Sequence, residues 1–138
     1  MNNIKMEVRY YTQSGNTKKI ADTIAEALDL KAFSIKTPIN KKVDLLFLGA
    51  SVYWGGINKN MKKFIDNMPA ENIGRVAIFS TSAMKENAYT EIKKRIEKRG
   101  IKVEERDYYC KGSFKIFNKN KPDIEDLQRA ANFAKSFL

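Results

Sequence analysis

The sequence predicts a three-layer α/β/α sandwich built on a five-stranded parallel sheet. Three observations carry this reading. β-like and helix-like segments alternate along the chain. Two segments, 43–50 and 75–80, are near-continuous apolar runs, as strands buried on both faces of a parallel sheet require. The helix-like segments each carry one apolar stripe, as helices laid on a sheet do.

Each element has its own signal. Ile4, Met6, Val8 and Tyr10 alternate with polar residues and predict the first strand. Lys5, Glu7 and Arg9 fill the intervening positions, so one face near its start is expected to meet solvent. Ile20, Ile24 and Leu28, with Ala21 and Ala25, form the first helical face. A short strand is expected around Ala32–Ile35, and a buried one over Val43–Ala50. Met61, Phe64, Ile65 and Met68 form a second helical stripe, ended by Pro69. Arg75–Ser80 is the fourth strand. Ala88, Tyr89, Ile92 and Ile96 form the third stripe, stopped by Gly100. Ile101–Tyr109 is the fifth strand. Pro122 suits the start of a last helix, with Asp123, Glu125 and Asp126 at its positive end and Ile124, Leu127, Ala131, Ala134 and Leu138 as its stripe.

The chain has 138 residues, one domain's worth over 1–138, and 43% hydrophobic content suffices for a core. It has no His and one cysteine, Cys110. That excludes Ser-His-Asp and Cys-His catalysis, His-ligated metal, an internal disulfide and a paired-thiol redox site. Reactive chemistry then falls most economically to a bound cofactor. Cys110 itself reads as a small buried hydrophobe. No signal peptide is expected from Met1–Lys5, and no apolar run reaches the ~20 residues of a membrane span, so the expected location is cytoplasmic, without stable membrane insertion. The net charge is +10, and 20 of the 26 basic residues are Lys, spread along the chain. Scattered charge reads as a solvated surface more than as a nucleic-acid face. Lys115, Lys119 and Lys121 with Phe114 and Phe117 are the best nucleic-acid stretch, and they match no RNA-recognition motif.

In open parallel sheets, ligands bind at the carboxyl ends of the strands. Three loops stand there. The first, Thr12–Thr17, is small and polar and precedes a helix, so its amides suit an anion, or it is an ordinary helix cap. Amide hydrogen bonds to a charged group contribute ~1.5–3 kcal/mol each, against ~0.3–1 for the helix dipole, so the amides would dominate. The segment is not a Walker A loop, because position 10 is Tyr10, and the chain contains no GxGxxG. The second, Ser51-Val52-Tyr53-Trp54-Gly55-Gly56, puts two aromatics beside two glycines; they stack on a planar ligand or cap the core. The third begins Thr81-Ser82-Ala83.

The succession Thr12-x-Ser14-Gly15-Asn16-Thr17, then Gly49-Ala50-Ser51-x-Tyr53-Trp54-Gly55-Gly56, then Phe79-Ser80-Thr81-Ser82, resembles the flavodoxin family along nearly the whole chain. The length is similar to that of its short-chain members. The resemblance implies strand order 2-1-3-4-5 and bound FMN. Thr12, Gln13, Ser14, Gly15, Asn16 and Thr17 would hold the phosphate. Tyr53 or Trp54 would stack on the ring, Ser51, Val52, Gly55 and Gly56 would line its edge, and Thr81, Ser82 and Ala83 would meet its other side. No catalytic side chain and no metal is implied.

The implied function is electron transfer between redox partner proteins, which the positive charge expects to be acidic where they touch. An FMN-dependent oxidoreductase, quinone-linked or protoporphyrinogen-oxidase-like, is the alternative, and a flavin-free nucleic-acid-binding domain a more distant one. Two departures stand out. No second stacking aromatic is evident in the third loop, where Met84 and the core-facing Tyr89 are nearest. Lys59 and Lys85 outnumber Glu86 in the loops, which predicts a less negative potential for the reduced flavin than an acidic surround would give.

Overall fold

A computed structural model describes residues 4–53, 56–82, 88–112 and 120–138, without the Tyr53 side chain. In chain order the elements are β1 (Met6–Tyr10), α1 (Asn16–Ala27), β2 (Ala32–Ser34), β3 (Val43–Tyr53), β4 (Gly56–Ile57), α2 (Lys59–Asn67), a 3-10 turn (Ala70–Asn72), β5 (Ile73–Ser82), α3 (Tyr89–Glu97), β6 (Lys102–Val103), β7 (Tyr108–Lys111) and α4 (Ile124–Lys135).

The sheet runs β2-β1-β3-β5-β6, with β7 also paired to β5. Those pairings are all parallel. β4 folds back antiparallel on β3. With β6 and β7 taken as one interrupted edge, this is the expected 2-1-3-4-5 order. The interruption differs from the single fifth strand read from the sequence. Glu104-Glu105-Arg106-Asp107 separates the pieces; Glu104 pairs with Arg75 of β5, and the Arg106 guanidinium lies 4.0 Å from the Phe137 ring centroid. The Glu104 amide still reaches the Val76 carbonyl of β5 at 2.8 Å, so the ladder lapses over Glu105–Asp107 before β7 resumes it.

Two apolar clusters fill the layers. Val8, Ile20, Ile24, Leu45, Phe47, Phe79, Ala130 and Ala134 pack beneath α1 and α4. Leu46, Leu48, Val76, Ile78, Met61, Ile65, Ile92 and Ile96 pack beneath α2 and α3. The stripes read for α1, α2 and α3 supply these contacts, with Phe64 and Tyr89 partly buried at the edge.

The stripe read for α4 needs correction. Ile124 is 85% exposed and Leu138 68%, while Asp126 is buried. Asp123, not Pro122, opens the helix: its side chain accepts from the Asp126 amide at 2.9 Å, and Asp126 accepts from the Asp123 amide at 2.9 Å. This reciprocal cap turns Asp126, Ala130, Ala134 and Phe137 inward. Phe137 meets Phe47 edge-on, centroids 5.5 Å apart.

Strand β1 also differs from expectation. Lys5 is exposed and Glu7 is partly exposed, but Arg9 is only 3% exposed. Its guanidinium pairs with Glu7 at 2.8 Å and donates to the carbonyls of Thr37 at 2.9 Å and Pro38 at 3.2 Å. A buried cation is tolerable here because backbone carbonyls and a carboxylate surround it.

Candidate functional site

The first loop is set by β1 and capped by its own side chains. Tyr11 extends the ladder by donating its amide to the Gly49 carbonyl at 3.0 Å. Thr12 Oγ1 accepts from the Gly15 amide at 2.9 Å, closing a tight turn. Gly15 then takes φ +92, the left-handed region that favours glycine, and caps α1 with open space where a Cβ would stand. No side chain caps α1, and no acidic residue lies in its first turn. An N-terminus capped by a glycine, with no carboxylate in its first turn, is chemically fitted to an anion. Asn16 Nδ2 donates to Ser14 Oγ at 2.9 Å. A Cβ on Gly112 would come within 2.6 Å of Asn16 Nδ2, so glycine there lets the end of β7 approach the loop.

Thr17 turns inward. Its Oγ1 shares hydrogen bonds with Ser51 Oγ at 2.7 Å and Thr81 Oγ1 at 2.8 Å, and all three residues are buried. These hydroxyls pin the start of α1 to the carboxyl ends of β3 and β5. All three predicted loops therefore meet at one point. Ser80 Oγ is fully buried and has no hydrogen-bond partner among the described residues.

Ser51, Val52 and Tyr53 are not loop residues, as the sequence suggested, but the end of β3. Their pairing continues along β5, Ser51 to Thr81 and Val52 to Ser82. β3 and β4 then form a hairpin, with Val52 opposite Ile57 and Tyr53 opposite Gly56. Trp54 and Gly55, and Ala83 with Met84, Lys85 and Glu86, lie outside the described residues, as do Phe114, Lys115, Phe117 and Lys119. The side of the hairpin rests on α3: Glu91 Oε1 accepts from the Ile57 amide at 3.2 Å. Gly56 has φ +105, and a Cβ there would stand 2.5 Å from Glu91 Oε1. Tyr89 packs against the core and donates its hydroxyl to the Glu104 carbonyl at 2.8 Å.

Cys110 is buried, as the sequence suggested. Burial, reinforced by the Asp126 charge, pushes its thiol up to about 12. A thiol so held stays protonated and inert at neutral pH. Among the described residues no cluster of three or more Cys, Asp or Glu could hold a metal, and no helix is long and apolar enough to cross a membrane.

Thr12–Thr17 and Ser51, Val52, Gly56, Thr81 and Ser82 thus gather at the carboxyl ends of β1, β3 and β5. Sequence reasoning missed Glu91, whose role depends on a hairpin 34 residues earlier in the chain. It also gave Gly112 no role; a small residue just after a strand was the available signal.

The profile of the flavodoxin domain family matches residues 8–112. An uncharacterised protein of Methanocaldococcus jannaschii is 32% identical over 136 residues, covering 89% of this chain and 90% of that one. Among solved structures, an archaeal flavodoxin superimposes with a TM-score of 0.79 at 20% identity, covering 96% of this chain and 95% of that one. Oxidised flavodoxin 2 from Bacillus cereus does so with a TM-score of 0.72 at 24% identity, covering 96% and 97%. At these identities the superpositions show a shared fold.

Proposed function

The chain belongs to the flavodoxin family, and from that premise we propose that it binds FMN and carries electrons between redox proteins. One observation carries the reading most directly. Helix α1 begins at a left-handed Gly15 with open space before it, no side-chain cap and no acid in its first turn. That is a fit for a phosphate dianion held by amides, with no Lys or Arg inside Thr12–Thr17.

The residues divide the work. The turn closed by Thr12 and Gly15, with the start of α1 behind it, would present its backbone to the phosphate. The Thr17–Ser51–Thr81 hydroxyls fix the distance between that turn and the ring end of the site. Ser51, Val52 and Gly56, with Trp54 and Gly55 between the two strands, would border the ring, and Tyr53 or Trp54 would stack on it. Thr81, Ser82 and Ala83 would meet its far side. FMN, when bound, supplies one- and two-electron chemistry; the protein positions it and excludes water. Lys19 and Lys59 are exposed where α1 and α2 begin, at the same end of the sheet. They suit an acidic partner surface, and transfer rates should fall as salt rises.

Titration of the purified chain with FMN tests the reading. Bound flavin absorbs near ~450 nm and its fluorescence is quenched. Riboflavin, which lacks the phosphate, should bind more weakly. Absence of FMN binding overturns the proposal. Sustained turnover of NAD(P)H or a quinone by the loaded protein would favour the oxidoreductase instead.

A further inference from the structure

The step from β2 to β3 is made by residues 35–42 without a helix, whereas α1, α2 and α3 each accompany one of the other crossovers. The side of the sheet that carries α2 and α3 is therefore left without a helix over β1 and β2. The segment 35–39 lies over that region, held to the strand by Arg9 through the Thr37 and Pro38 carbonyls. Between this segment and α2 runs a groove of about 410 Å3.

The groove has a definite chemical character. Tyr11, Ile35, Ile39, Phe64 and Met68 give it an apolar floor. Asn60, Lys63, Phe64 and Asn67 lie on one stripe of α2 and form one wall; Lys36 stands on the other. No acidic residue lines it. Lys18, Lys62, Lys93 and Lys121 all have carboxylate partners, but among the described residues neither Lys36 nor Lys63 has one. Two exposed lysines lining an apolar floor, neither with a carboxylate partner among the described residues, are complementary to a negative head on an apolar body. The volume is of small-molecule size, within the ~300–1,000 Å3 typical of such pockets, rather than that of a folded partner.

We propose that this groove binds a small apolar molecule carrying one anionic group, of the aliphatic or aromatic carboxylate class. The floor supplies the affinity, and Lys36 and Lys63 fix the orientation. None of the residues assigned to FMN lines the groove; Tyr11, immediately before the phosphate turn, is the point of approach. Occupancy is thus separate from flavin binding, and the two are measured separately.

The test uses the full chain, labelled for NMR and titrated with octanoate or octanol, with flavin loading followed by absorbance. Octanoate should shift the signals of Ile35, Ile39 and Met68, and bind several-fold more tightly than octanol. Lys36→Gln and Lys63→Gln should each weaken octanoate binding by about fivefold at low salt. Lys98→Gln, an equal loss of charge on an exposed residue that does not line the groove, should leave it unchanged. Equal binding of octanol, or equal loss in all three variants, overturns the proposal, as does a dimer seated on this groove that octanoate does not displace.

Discussion

The Glu91 carboxylate occupies the space beside Gly56 and accepts the Ile57 amide at 3.2 Å, so a side chain on α3 holds the hairpin of the second loop. The position favours glycine, for its backbone first and for the nearby carboxylate second. Its φ is +105, and an added Cβ would stand 2.5 Å from the carboxylate oxygen. Gly56→Ala should therefore destabilise the protein by about 1–3 kcal/mol, measured by urea denaturation. Adding Glu91→Ala removes the collision but not the backbone strain, so the double variant should cost less than the sum of the singles. Full additivity would show that the two residues do not meet.

Thr17→Val keeps the shape of the side chain and removes the oxygen that Ser51 and Thr81 share. Both hydroxyls then lose a partner in a buried place. A loss of about 1–3 kcal/mol is expected, with weaker FMN binding because the turn is no longer pinned to the strand ends. Ser51→Ala should cost less, since Thr17 and Thr81 remain bonded. Denaturation curves for the two variants, taken with flavin titrations, check the order.

Arg9 is buried on the strand that leads into the Thr12–Thr17 turn. Arg9→Met leaves the Thr37 and Pro38 carbonyls without their donor and Glu7 without its cation. Because Glu7 keeps some contact with water, the expected loss lies at the lower end for a broken buried pair, about 3 kcal/mol. Amide exchange of residues 36–40 should quicken most, because Arg9 is what holds that segment down. Arg9→Lys keeps the charge but not the planar fork, and should fall between.

Alkaline and acid stability follow from opposite shifts. Burial raises the Cys110 thiol to about 12 from an ordinary 9.0, and burial raises the Tyr108 phenol in the same direction. Below about pH 9 the folded and unfolded chains both keep these protons, and the stabilisation is complete. Above it the unfolded chain ionises first, so stability should fall as pH climbs toward 12. The fall should be shallower in Cys110→Ala. The native thiol should resist thiol reagents at pH 8 and react on unfolding.

Asp123 goes the other way. The Lys121 ammonium, followed by the Asp126 amide, holds its carboxyl down to about 2, below the ordinary 3.8. Its contribution is present above pH ~4 and is lost as pH falls toward 2. Asp123→Ala should flatten the acid limb of the stability profile; an unchanged limb would remove Asp123 as its source.

Much of this was legible from local pattern. The βα alternation, the two buried runs and the helical stripes are periodicities of neighbouring residues, and they determined the α/β fold and the end of the sheet where a ligand belongs. Thr12–Thr17 was legible for the same reason: a glycine among small polar residues between strand and helix is a local statement about the backbone. The rest depended on residues far apart in sequence. That β3 continues to Tyr53 was decided by its pairing with Thr81 and Ser82. That α4 turns Asp126 inward was decided by its cap, and the fifth strand lapses only after Glu104, whose amide still reaches the Val76 carbonyl. Alternation in β1 marked Arg9 as polar, but only the carbonyls of the segment above it make burial of a cation possible. The Glu91 anchor and the groove beside α2 likewise arise where distant segments meet, because a side chain's partners are set by the packed chain and not by its neighbours along it.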